Sequence, residues 1–84
     1  MWIIVEYMNS DGGGAVYNIG LATTNAKLLV FLRQYVQACG EGSDFKEVPG
    51  MMREDLGHVH KRMIPMMTGV KSDIYAQWLD VFDD

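Results

Sequence analysis

Residues 72–84 read Ser-Asp-Ile-Tyr-Ala-Gln-Trp-Leu-Asp-Val-Phe-Asp-Asp, and the fold turns on whether this stretch coils or extends. As a helix it places Ile74, Tyr75, Trp78, Leu79 and Phe82 on one stripe, opposite Asp73, Ala76, Gln77, Asp80, Asp83 and Asp84. Ser72 is then an N-cap, and Asp73 meets the positive end of the helix dipole. As a strand it shows Ile74, Ala76, Trp78 and Asp80 on one face and Tyr75, Gln77, Leu79 and Val81 on the other. Ile, Tyr, Trp, Val and Phe favour strands, and acids at a helix C-terminus oppose its dipole. The apolar spacing is the stronger pattern and predicts a helix, the alternative being a third strand.

Upstream, Met52, Leu56, Val59 and Met63 recur at helical intervals and predict a helix over 51–64, ended by Pro65. Gly57 in its middle costs about 1 kcal/mol relative to Ala. Residues 41–50 read as a loop with a short extended piece at 45–48. Before it, Leu28, Leu32, Tyr35, Val36 and Cys39 form the stripe of a helix over 25–39. Leu29, Val30 and Phe31 widen that stripe, Thr23, Thr24 and Asn25 are N-cap candidates, and Gly40 sits where a C′ glycine belongs. Residues 1–8 and 15–22 alternate as two strands around Asn9-Ser-Asp-Gly-Gly-Gly14, with the Asp-Gly pair of a hairpin. No helix start follows these glycines, so they read as turn geometry and not as a phosphate cradle. The expected fold is α+β: an N-terminal antiparallel β-hairpin packed against two or three helices, in a single small globular domain over 1–84.

The chain has 84 residues, is 49% hydrophobic and 21% charged, and carries two prolines. That composition is globular and excludes disordered and collagen-like classes. A domain this small buries only about 60–65% of its unfolded surface. Its high apolar content is therefore expected to leave apolar surface outside the core, as an oligomer or partner interface. No stretch approaches the roughly 20 apolar residues of a membrane span. Residues 1–8 do not read as a signal peptide, having no basic leader and carrying Glu6. The single cysteine, Cys39, suits a reducing cytoplasm.

Charge is segregated. Residues 1–23 carry Glu6 and Asp11 without a base, and 24–71 hold all seven bases. Residues 72–84 hold Asp73, Asp80, Asp83 and Asp84 and no base, within a total of −4. Such a balance argues against a general phosphate-binding surface. Lys61 and Arg62, with Arg53 and Lys71, make a small basic patch, but no aromatic residue lies between Phe45 and Tyr75 to stack on bases. The acids are too few and too scattered for nucleic-acid mimicry and serve solubility.

Glu54, Asp55, His58 and His60 are the one cluster of metal-ligand types. On a helix Glu54 and His58 share a face, whereas His60 lies about 200° round, so no three ligands converge. The histidine spacing also differs from that of a zincin. Cys39 falls at a helix C-terminus, where the dipole disfavours a thiolate, and is expected to be a buried structural residue. Ser10, Ser43 and Ser72 fall in turns or a cap. No catalytic, cofactor-binding or metal site is expected, and a metal-dependent hydrolase built on Glu54 and His58 is the weakest reading.

Five of the seven methionines, Met51, Met52, Met63, Met66 and Met67, fall within 51–67. Methionine fills cores but also lines adaptable binding surfaces. Small size, acidity, surplus apolar surface and the absence of a catalytic motif resemble the profile of small phage or mobile-element inhibitors, anti-CRISPR proteins among them. The likeness is one of profile and covers no residue motif. It implies a cytoplasmic, non-catalytic inhibitor that binds a larger protein through an apolar surface rimmed by acids. The candidate contacts are Met66, Met67, Trp78, Asp73, Asp80, Asp83 and Asp84. The alternative is a homodimer enclosing a small-ligand pocket lined by Trp2, Tyr17, Tyr35 or Trp78.

Overall fold

A computed structural model describes residues 1–10, 13–39, 44–57 and 62–80. Strands β1 (Trp2–Ser10) and β2 (Gly13–Ala22) are followed by helix α1 (Asn25–Cys39), then β3 (Lys46–Glu47), β4 (Met63–Thr68) and β5 (Ser72–Trp78). The strands form one antiparallel sheet in the order β2-β1-β5-β4-β3, so the last strand is the middle one.

Alternation along the strands decides which side chains meet the helix. Trp2, Ile4 and Glu6 of β1 and Ser72, Ile74 and Ala76 of β5 point to the α1 side. There Leu28, Leu29 and Leu32 close the core with Met66 and Met67. A bulge in β4 between Pro65 and Met67 puts both of these neighbouring methionines inside, although strict alternation would expose one. Pro65 is tolerated because β3 ends short of it: β3 pairs with Met67 and Thr68, and its continuation at Val48 reaches only the Met66 carbonyl.

The helix begins as its sequence suggests. Thr24 caps it, its Oγ1 accepting from the Lys27 N–H at 3.1 Å and its carbonyl from the Leu28 N–H at 3.0 Å. Asn25 instead ties three segments together. Its Oδ1 accepts from the Trp2 indole N–H at 2.7 Å, and its Nδ2 donates to the carbonyls of Glu54 at 2.7 Å and Leu56 at 2.8 Å. Val48 to Met51 form a type II turn, with Pro49 second, Gly50 third at φ 79°, and the Met51 N–H on the Val48 carbonyl at 3.1 Å.

The expected hairpin under two or three helices is corrected: the protein is mostly a five-stranded antiparallel sheet with a single helix. Residues 51–57 form turns and bends without regular structure, 63–64 already belong to β4, and the helix expected over 51–64 is absent from both stretches. Gly50 and Gly57 flank a segment whose few apolar residues have no second helix to pack on. The stretch from 72 extends as β5 over Ser72–Trp78, the alternative the strand formers pointed to. A two-stranded hairpin is barely stable alone, and β5 supplies its missing neighbour along β1. The glycine run after Asp11 belongs partly to β2, where the Tyr7 ring lies over Gly14. The C′ glycine expected at Gly40 lies outside the described residues.

Two substitutions probe this packing. A Cβ on Gly20 would stand 2.5 Å from the Phe31 ring, so Gly20→Ala should cost about 1–3 kcal/mol in urea denaturation. Asn25→Asp keeps the acceptor for Trp2 but turns a carboxylate toward the carbonyls of Glu54 and Leu56. It should cost about 2–3 kcal/mol in the same measurement.

Candidate functional site

One helix covers one side of the sheet, and among the described residues no element lies over the other side. Cross-strand pairing lays out that open face in three rows. Leu21, Ile3, Gln77 and Met63 form the first, and Asn18, Val5, Tyr75 and Pro65 the second. Val16, Tyr7, Asp73 and Thr68 form the third, continued by Lys46 of β3. Eight of these side chains are apolar or aromatic. Asp73 and Lys46 are the only charged groups in the rows, and both lie in the third.

The centre of the face is partly shielded by its own neighbours, while its edges are open: Val16 is 59% exposed, Leu21 58% and Met63 46%. Tyr7 and Tyr75 add broad rings at low entropic cost. Apolar and aromatic groups with little charge are the composition of an interface core. A solvated sheet face would carry polar residues at these alternate positions.

The covered side holds a different chemistry. The Glu6 carboxylate accepts from the Tyr35 hydroxyl at 2.5 Å and from the Ser72 hydroxyl at 2.6 Å, joining β1, α1 and β5. Burial, and then the hydrogen bond and charge of Glu6, push the Tyr35 phenol well above its ordinary value. The three groups bond to one another, so the cluster acts as a structural clamp across β1, α1 and β5.

The sequence candidates distribute unevenly over this frame. Met66 and Met67 are 0% and 3% exposed, so they are core residues and not contacts. Trp78 is half-buried, edge-on to Trp2 with centroids 5.4 Å apart, and its indole N–H donates to Asp80 Oδ1 at 3.0 Å. Asp73 lies on the open face, whereas Asp80 lies past the opposite end of β5; the two do not form one acidic rim. Asp83 and Asp84 lie outside the described residues, as do His58, His60 and Lys61. Glu54 and Asp55 lie in turns, where the helical spacing toward His58 does not apply, and Asp55 pairs with Arg53 at 3.2 Å on the surface.

Among the described residues no three metal-ligand types gather. Cys39 is exposed, not buried as expected. Of the proposed pocket aromatics, Trp2 is fully buried and Tyr35 is bonded to Glu6. A groove of about 330 Å³ does exist, but Leu21, Ala26, Lys27, Val30, Phe31 and Gln34 line it, and none of those four aromatics does. The open face and this groove are the features sequence reasoning missed. The strand alternation of 1–8 and 72–78 carries the signal for the face, once both segments are taken as strands.

Comparison with protein families, with curated proteins and with solved structures finds no match for this chain. No helix of the described residues is long and apolar enough to cross a membrane.

The clamp has a measurable signature. The folded chain holds the Tyr35 proton more tightly than the unfolded chain does. Stability is therefore full below the ordinary tyrosine value of about 10 and falls as pH rises above it. Tyr35→Phe should cost about 1–2 kcal/mol at neutral pH and flatten that alkaline decline, read by urea denaturation from pH 7 to 11.

Proposed function

We propose that the protein is a non-catalytic protein-binding domain that docks onto a larger protein through the open face of its sheet. The observation that supports this most is the face itself: Ile3, Val5, Tyr7, Val16, Leu21, Met63, Pro65 and Tyr75 are laid side by side with a single acid and a single base. Leaving such a surface in water is costly, and covering it with a partner recovers about 25 cal/mol for each Å² of apolar area. Tyr75, at the centre of the middle row, is the anchor, with Tyr7 and Met63 around it. Asp73 and Lys46, at one end of the face, set orientation and association rate more than affinity.

The lone cysteine and the acidic balance fit a cytoplasmic protein of this kind. Size, acidity and surplus apolar surface, shared with small phage inhibitors, make large host effector complexes the first partners to present to it.

The test uses Met63→Lys combined with Tyr75→Lys, both on the open face and away from the core. The variant should keep the far-UV spectrum and lose about 1–2 kcal/mol of stability, since Tyr75 is half-buried on the central strand. Affinity capture followed by mass spectrometry should recover a protein with the wild type, and the variant should bind it at least about 30-fold more weakly, the loss of one hot spot. Equal binding by both would refute the assignment of the face.

A further inference from the structure

The two edges of the sheet differ in a way that the open face does not explain. On one side β3 is only two residues long, both charged, and a Pro-Gly turn follows it closely. Short, charged and proline-flanked edges are how proteins prevent unwanted strand pairing. On the other side β2 runs for ten residues, Gly13–Ala22, with no charge and no proline. The uncharged run extends over 12–26. Along it Tyr17 is 52% exposed and Val16 59%, and among the described residues no other strand pairs with the outer edge of β2.

Beside that edge lies the groove of about 330 Å³ between β2 and α1, walled by Leu21, Ala26, Val30 and Phe31. Val30 is 52% exposed although it stands on a helix whose neighbours Leu28, Leu29 and Leu32 are buried. Lys27 lies on the groove, and among the described residues no carboxylate pairs with it. Helix α1 carries Lys27 and Arg33 and no acid.

We propose that β2 and this groove bind an extended segment of a partner protein by strand addition. The segment would pair with the outer edge of β2, seat an apolar side chain against Val30 and Phe31, and bring a neighbouring carboxylate to Lys27. Main-chain hydrogen bonds supply affinity in this mode, and the alternate side chains supply selectivity. A second copy of this chain is the poorer occupant. Two β2 edges paired antiparallel would set α1 beside its counterpart, base against base, with no acid on either helix. The proposal stands whether or not the open face is the main docking surface.

The probe is a set of acetylated eight-residue peptides of alternating Thr and Val with one central Leu, flanked by Glu, Gln or Lys. They are titrated into the full chain up to millimolar concentration and followed by amide and methyl NMR and by hydrogen exchange. The Glu peptide should shift the amides of 16–21 and the Val30 methyls, and protect outward amides of β2. At low salt it should bind about 5-fold more tightly than the Lys peptide, and Lys27→Glu should reverse that order. Met63→Lys with Tyr75→Lys should leave this binding unchanged, which separates it from docking on the open face.

No shift along β2 with any peptide would overturn the proposal. So would an order of preference that survives Lys27→Glu. Protection of β2 that rises with protein concentration in the absence of peptide would overturn it in favour of a second copy.

Discussion

The Asn25 side chain is the constraint from which most of this architecture follows. One amide accepts the Trp2 indole proton and donates to the carbonyls of Glu54 and Leu56, so the start of β1, the start of α1 and the loop before β4 meet at one point. With Trp2 held there, fully buried against Trp78 of β5, the first and last strands are brought into register. The Glu6 clamp acts further along the same strand pair, where Tyr35 and Ser72 share its carboxylate. Each polar group is satisfied by segments distant in sequence, which makes the arrangement specific as well as stable.

A single helix of fifteen residues cannot cover both sides of a sheet of five strands. The sequence nevertheless alternates apolar residues on both sides of β1. Trp2 and Ile4 face the helix, while Ile3, Val5 and Tyr7 face away. The surplus apolar content of the whole chain thus has a location: it is gathered on the uncovered face and along the edge of β2. Among the described acids only Asp73 lies in the rows of that face, while Glu54 and Asp55 lie in turns and Asp80 lies beyond the end of β5.

Much of the local structure was legible. The helix over Asn25–Cys39 has the bounds its stripe and its threonine cap announce, because capping and amphipathic spacing act within a few residues. The hairpin strands and the extended piece near Lys46 follow from alternation in the same way. The stretch over 51–64 misled because four apolar residues at helical spacing say nothing of what they pack on. Met66 and Met67 read as a contact edge until the bulge beside Pro65 turned both inward.

The amino-acid sequence by itself determined the elements whose signals are local: one helix, one hairpin, a short extended piece near Lys46 and an excess of apolar residues. Tertiary structure decided the rest. Residues 72–78 carry both periodicities, and only a place between β1 and β4, with backbone partners on both sides, selects the strand. That same choice made the open face. Tyr75 shares a face with Val5 and Pro65 only because β5 is extended and in register with both neighbours, and pairing between distant strands is a property no single stretch of sequence contains.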